Sequence, residues 1–298
     1  MSPRRNHPPQ PRAADVGPRR PRARTSIGQH YLVNRGVLEH IVKVADIRPG
    51  DKVLEIGAGP GNLTQLLLET GASVMALERD RRFEPHLRHV EQRFPENLVT
   101  AWGDVLDIDW EPLWGGAPPE KRIIVGNIPY QITSPLIARL ADARERLRHA
   151  VLMIQREVAD RLIAPPATRE RSGLTVKVAL DFEVRRLFVV HPKSFKPPPK
   201  VHSAVIQLTP KSPPPVTDPA LRALTRRVIE AAFGSRRQQL TNSLARHWGP
   251  GISKEEWRTL LEQVGVEPSL RAERVDLESF VALAGILPAA QKALEPED

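Results

Sequence analysis

Between Asp51 and Leu67 the sequence admits very few backbones. Lys52-Val53-Leu54-Glu55-Ile56 is a short, mostly apolar run. Gly57, Gly59 and Gly61 follow it, and then Asn62 opens a helical apolar face carrying Leu63, Leu66 and Leu67. A strand, a turn of residues free to adopt positive φ, and a helix make a nucleotide-type βα unit. Its glycines let a ligand approach the backbone closely, and the start of its helix favours negative groups. The Gly-x-Gly-x-Gly spacing, with Glu55 at the strand end, departs from the dinucleotide Gly-x-Gly-x-x-Gly. It points to S-adenosylmethionine rather than NAD.

The next strands extend that expectation. Ser73 to Leu77 is a second strand ending in Glu78-Arg79-Asp80. An acidic residue about 20 positions after the glycine turn is placed to accept both ribose hydroxyls. Glu78 stands there, although a surface Glu capping a helix is the plainer alternative. Leu98 to Ala101 is a third strand, followed by Trp102-Gly103-Asp104-Val105. Asp104 could accept from an adenine amino group, with Val105 lining the ring. A Gly-Asp turn is otherwise a common structural device.

Ile123-Ile124-Val125-Gly126-Asn127-Ile128-Pro129-Tyr130 reads as a buried strand closed by a rigid aromatic turn. Ile and Val favour an enclosed strand. Pro129 cannot continue it, and Ile128, preceding a proline, is kept out of the helical region. Asn127 and Tyr130 should therefore lie just beyond the carboxyl end of a strand, where open α/β sheets bind ligands. Such a turn suits attack by a planar exocyclic amine. The Asn127 oxygen and the Ile128 carbonyl would accept its two hydrogens and localise the lone pair, while Tyr130 stacks on the base. An ordinary loop with a packed Tyr is the competing reading of those four residues alone.

Further along, Asn34 is a plausible N-cap for a helix whose apolar face includes Leu38 and Ile41. Ser134-Pro135 has the chemistry of a helix start running to about Leu147, and Ala150 to Gln155 is a further strand. Leu174 to Ala179 fits either helix or strand. Phe182 to Val190 and Ala204 to Leu208 read as a hairpin-like pair joined by His191 to Lys200. Within that joint, Pro197-Pro198-Pro199 is stiff and extended. It carries Phe195 with Lys193, Lys196 and Lys200, which suits an RNA base and its phosphates as well as it suits a rigid connector. Lys211 to Pro215 is a proline-rich linker. The rest is helical: Ala220 to Phe233, Ser235 to Leu244, Lys254 to Val264 and Leu277 to Leu287, with Arg236, Arg237 and Arg246 as a candidate phosphate-facing patch.

Composition narrows the classes. No run of 18 apolar residues offers a membrane span. The absence of cysteine excludes disulfides, thiolate nucleophiles and Cys-ligated zinc, and the nine histidines show no metal-ligand spacing. Of the net charge of +9, residues 1–26 hold seven Arg and one Asp, or +6, leaving +3 for residues 27–298. That Pro/Arg-rich arm has too little apolar surface to fold and is expected to be disordered, a solvated tail, phosphate-binding arm or transit segment. No second half with catalytic His or Tyr-Lys spacing supports an NAD enzyme.

Together these stretches resemble the ribosomal RNA adenine N6,N6-dimethyltransferases, in the branch that modifies two adjacent adenosines near the 3′ end of small-subunit RNA. The resemblance rests on Gly28-Gln29-His30-Tyr31-Leu32, Glu55 to Gly61, Glu78-Arg79-Asp80, Gly103-Asp104, Asn127 to Leu136, Gln155 to Ala159, Phe195 to Val201 and Arg236-Arg237. It implies an α/β fold, a Rossmann-like seven-stranded methyltransferase sheet with a small helical C-terminal domain. The expected division is a basic arm over 1–26, a cofactor-binding domain over 27–210 and a helical RNA-binding domain over 211–298. It implies S-adenosylmethionine contacts at His30, Leu32, Gly57, Gly59, Glu78, Asp104 and Asn127. Asn127, Tyr130 and Phe195 would handle the target adenine, and Lys196, Lys200, Arg236 and Arg237 the RNA. The family has Asn-Phe where this chain has His30-Tyr31. The expected partner is small-subunit ribosomal RNA or a pre-30S-type particle, met by a cytoplasmic monomer without metal, organellar import through the arm being the variant. Two rivals stay open: a large-subunit RNA adenine methyltransferase of the resistance type, and a non-catalytic RNA-binding assembly or transcription factor on the same fold.

Overall fold

The apolar runs become the strands of one sheet. The computed structural model describes residues 29–294, together with Pro18 and Pro21, and side chains as far as residue 287. Apart from those two prolines, the arm expected over 1–26 lies outside the described residues, as do Ile27 and Gly28. The strands are β1 (Tyr31–Leu32), β2 (Lys52–Ile56), β3 (Ser73–Glu78), β4 (Leu98–Trp102), β5 (Arg122–Asn127), β6 (His149–Gln155), β7 (Phe182–Val190), β8 (Phe195–Lys196) and β9 (Ser203–Pro210). Seven of them hydrogen-bond in the order β4-β3-β2-β5-β6-β9-β7, and β1 and β8 form a separate ribbon. The strands from β4 to β6 are parallel, and β9 runs antiparallel between β6 and β7. The hairpin-like pair read from the sequence is β7 with β9.

Alternation along each strand sorts side chains to the two faces. Ile123 and Val125 of β5, with Val151 and Met153 of β6, join Leu38, Ile41, Leu63, Leu67, Leu87 and Val90 in one core. Those residues come from α1 (Arg35–Val44), α2 (Asn62–Leu68) and α3 (Glu84–Arg93). Ile124, Leu152 and Ile154 face the other way, against Leu136, Ile137 and Leu140 of α4 (Thr133–Asp142) and Leu162 of α5 (Arg156–Leu162). Each such side chain contributes about 1.5–3 kcal/mol by leaving water, so a strand buried on both faces is strongly held.

A third core is helical. It is built by α7 (Pro219–Phe233), α8 (Leu240–His247), α9 (Lys254–Gln263) and α10 (Leu277–Leu294), around Trp257, Phe280 and Ile229. Val176 of α6 (Gly173–Ala179) and the following Leu180 enter this core. The Leu174 to Ala179 ambiguity is thus settled as helix, opened by a capping box between Ser172 and Thr175. Beside it the wholly buried Asp181 accepts from Arg222 at 2.7 Å and Arg226 at 2.6 Å, both on α7.

Three boundaries differ from expectation. A short 3-10 turn over Tyr130–Ile132 runs straight into α4, which begins at Thr133 with Ile132 as an N-cap lacking a side-chain bond. Ser134 is therefore inside the first turn rather than capping it. The same helix stops at Asp142, and a separate 3-10 turn covers Arg144–Arg146. The helix expected from Ser235 begins only at Leu240, because the 235–239 segment takes tertiary bonds instead. Ser235 donates its N–H to Ser243 Oγ, and the Arg236 guanidinium reaches the carbonyls of Arg169 and Arg171.

Candidate active site

The chain leaves β2 toward β3 on one side and returns to β5 on the other, so strand order reverses between β2 and β5. A crevice opens beyond the carboxyl ends of strands at such a point. The glycine turn after β2 and the Asn127 turn after β5 occupy it, side by side. Gly126 makes their approach possible. A Cβ there would stand 2.7 Å from the Ile56 carbonyl oxygen, closer than any such contact can be. Sequence reasoning passed over Gly126, although a glycine inside a strand signals close backbone approach.

One half of the crevice is a cleft of about 740 Å³ lined by Gly57, Glu78, Arg79, Asp104, Val105, Pro129 and Ile132, among others. Gly57 holds φ at +75°, a conformation that favours glycine. Glu78, 9 % exposed, accepts from the N–H groups of Gly59, Arg79 and Asp80, each at 2.8 Å. Burial pushes its carboxyl above the ordinary range, and those three N–H bonds oppose the shift. Asp104 accepts from Leu106 N at 3.0 Å through one oxygen and from the exposed Arg79 guanidinium at 3.0 Å through the other. Arg139, lying over the Trp110 ring, donates to the carbonyls of Leu106 and Ile108 and so holds this loop from behind.

Beneath the glycine turn sits Glu55, 1 % exposed, accepting from Thr64 Oγ1 at 2.5 Å. Burial raises its pKa to about 8, against the pull of the Thr64 hydroxyl. Its carboxyl joins the end of β2 to α2 as a hydrogen-bonding strut.

The other half is a small pocket of about 90 Å³ lined by His30, Tyr31, Phe83, Asn127, Ile128, Tyr130 and Phe195. It shares Gln29, Gly57, Glu78 and Pro129 with the larger cleft. Asn127 Nδ2 donates to the His30 carbonyl at 3.2 Å. A carbonyl can only accept, so the amide is turned with Oδ1 as its remaining acceptor. The Tyr130 hydroxyl pairs with Ser203 Oγ at 3.1 Å, and its ring centroid lies 6.4 Å from that of His30.

The structure thus brings His30, Gly57, Gly59, Glu78, Asn127, Tyr130 and Phe195 around one pocket and Asp104 into the adjoining cleft. Phe195 is 2 % exposed and packs into the core as well as the pocket wall. Leu32 lines neither cavity. Its side chain is buried in the same core, and its carbonyl accepts from Asn62 Nδ2 at 3.4 Å. Lys196 and Lys200 are exposed beside the pocket on the 195–200 segment. Arg236 and Arg237 stand apart from it. They line a cleft of about 880 Å³ with Arg169, Arg271, Arg274 and Glu273. Among the described residues no acidic or histidine cluster could hold a metal, and no helix is long and apolar enough to cross a membrane.

The chain is similar to known proteins over most of its length. The family model for ribosomal RNA adenine dimethylase matches residues 20–287. A ribosomal RNA small subunit methyltransferase A from Geobacter metallireducens is 39% identical over 265 residues, spanning 88% of this chain and 94% of its own length. The protein of the same name from Rhodospirillum rubrum is 40% identical over 272 residues, 90% of this chain and 89% of its own. Among solved structures, a dimethyladenosine transferase from Plasmodium falciparum superposes with a TM-score of 0.72 at 28% identity, covering 89% of this chain and 98% of its own. The 23S rRNA methyltransferase ErmE gives 0.65 at 26% identity, covering 87% of this chain and 99% of its own. A model matched over nearly the whole chain, and relatives this similar at full length, place the protein in a family: it belongs to the ribosomal RNA adenine dimethylases.

Proposed function

We propose that this enzyme dimethylates N6 of two adjacent adenosines near the 3′ end of small-subunit ribosomal RNA, using S-adenosylmethionine. The observation that carries the reading is the common rim of Gln29, Gly57, Glu78 and Pro129, which joins the larger cleft to the pocket holding Asn127 and Tyr130. A donor in one and a base in the other would meet there.

The larger cleft fits the cofactor. The Gly57–Gly61 turn offers close backbone approach, and Glu78 is a desolvated carboxylate for the ribose hydroxyls. Asp104 and Val105 suit the adenine edge and face, and Asp104 then exchanges or shares its bond with Arg79. S-adenosylmethionine supplies, when bound, an electrophilic methyl on a positively charged sulfur. The rest falls to the chain. Asn127 Oδ1 accepts a hydrogen of the N6 amine, which localises the nitrogen lone pair, and Tyr130 offers a ring for stacking. Once methylated, the nitrogen is strongly acidic, so loss of its proton needs no strong base. Catalysis is then mainly alignment of nucleophile and methyl, worth up to about 7–11 kcal/mol when geometry is fixed. The target adenine has to leave its stack, at a cost of about a few kcal/mol. Phe195, in the wall of the same pocket, flanks the base. Lys196 and Lys200 meet the flanking phosphates, and Arg237 with its cleft neighbours meets more remote ones.

Tritiated methyl transfer to undermethylated small subunits tests this directly. Label should appear in N6,N6-dimethyladenosine of the small-subunit RNA. Label confined to large-subunit RNA overturns the choice of substrate, and absence of S-adenosylmethionine binding by calorimetry overturns the enzyme.

A further inference from the structure

His30 carries two bonds that link separate parts of the target pocket. Its Nδ1 lies 2.9 Å from the Pro197 carbonyl, 167 residues away. Its own carbonyl accepts the Asn127 amide. The neighbouring residues strengthen the link. Tyr31 pairs with Lys196 and Leu32 with Phe195 in the β1–β8 ribbon, and Val33 N donates to the Ser194 carbonyl at 2.9 Å. On the other side Gln29 Nε2 donates to Asp80 Oδ2 at 3.1 Å, next to Glu78.

We propose that His30 is a positioning residue for the methyl acceptor, its imidazole fixing the Phe195–Pro198 segment and its carbonyl orienting the Asn127 amide. The assignment rests on the adenine methyltransferase reading and adds which side of the reaction His30 serves. Pro197 O can only accept, so Nδ1 is the donor of this bond. Asn, the residue expected here from the family pattern, places an amide nitrogen on Cγ, the carbon that bears Nδ1 in histidine. Asn can replace the donor; Leu fills similar space without one.

The test compares wild type, His30→Asn and His30→Leu in three measurements. Methyl transfer to small subunits should fall roughly ten- to a hundredfold in kcat for His30→Leu, the range for an orphaned acceptor, and stay within about threefold for His30→Asn. S-adenosylmethionine affinity should fall much less than kcat in His30→Leu, because the imidazole bonds to the target segment and does not line the larger cleft. Amide exchange at Phe195, Lys196, Lys200 and Val201 should quicken in His30→Leu alone. Wild-type kcat in His30→Leu overturns the proposal. So does a loss confined to cofactor affinity, or equal damage in both variants. A wild type that methylates no small-subunit RNA sinks the activity instead. The exchange measurement then still decides whether His30 holds the segment.

Discussion

The two halves of the crevice are built on different principles. The half we propose for the cofactor is local and backbone-held: a glycine turn between β2 and α2, and a carboxylate at the end of β3 whose oxygens accept three main-chain N–H groups. The half we propose for the target base is assembled from segments far apart in sequence. Side-chain bonds join Asn127 to residue 30, residue 30 to Pro197, and Tyr130 to Ser203. Main-chain bonding to a buried carboxylate leaves little freedom. Single side-chain bonds between distant segments can be broken one at a time, as suits a pocket that must admit a base still attached to a large RNA.

The sharpest way to break the comparison is Asn127→Ala. If the target half acts through the Asn127 acceptor, kcat should fall about 10²–10³-fold, the range for removing one group aimed at a reacting centre. Thermal unfolding should barely change, since Asn127 is only half-buried at the end of β5. Single-turnover methylation with both substrates saturating measures it, and near-normal turnover ends the mechanism.

Glu78→Gln probes the other half. Losing a charged acceptor of two hydroxyls should weaken S-adenosylmethionine about ten- to a hundredfold, with kcat at saturation little altered. Burial holds the Glu78 pKa above the ordinary carboxylate value. Cofactor affinity in wild type should therefore decline on acidification at a higher pH than an exposed carboxylate would give. Isothermal titration across pH checks this, and the decline should be absent in the variant.

Glu55→Gln sharpens the contrast from beneath the glycine turn. Glu55 keeps its proton to about pH 8 in the folded chain, but only into the ordinary carboxylate range once unfolded. The folded state binds the extra proton, so this contribution to stability is full in acid and disappears as pH rises toward 8. Gln keeps a neutral partner for Thr64 and removes the titration. Between pH 5 and pH 8 the wild type should lose about 3–4 kcal/mol relative to the variant, read by urea unfolding.

How far each half could be read from sequence follows from the same contrast. Glu55 to Gly61, Glu78 and Asp104 lie in short contiguous motifs at strand ends, so periodicity and glycine spacing reach them. The individual strands and the C-terminal helices were legible for the same reason, while the seven-stranded sheet followed from the family resemblance. The division at Lys211–Pro215 is one we propose on the linker's composition, with α6 reaching across to pack with the helices after it. The ties of the target half depend on register and on loops meeting in space. Nothing in the run from His191 to Lys200 announces that it pairs with Tyr31–Leu32, or that Phe195 is buried. Helix starts failed where tertiary bonds outweighed local chemistry, as at Ser235, whose N–H goes to Ser243.

Tyr130→Phe is the mildest test and separates stacking from tethering. The variant keeps the ring and loses only the bond to Ser203 Oγ, which is half of a neutral hydroxyl pair in a partly buried site. A bond of that kind contributes about 0.5–1.5 kcal/mol net, so kcat should drop two- to tenfold while cofactor affinity holds. Tyr130→Ala removes the ring as well, and base–aromatic stacking adds about 1–3 kcal/mol to the loss. If the two variants are equally impaired, the hydroxyl tether to β9 is the active element and the stacking role assigned to Tyr130 fails. If Tyr130→Phe matches wild type and Tyr130→Ala does not, the pocket needs the ring and not its anchor. The target half would then be looser still than its few bonds suggest.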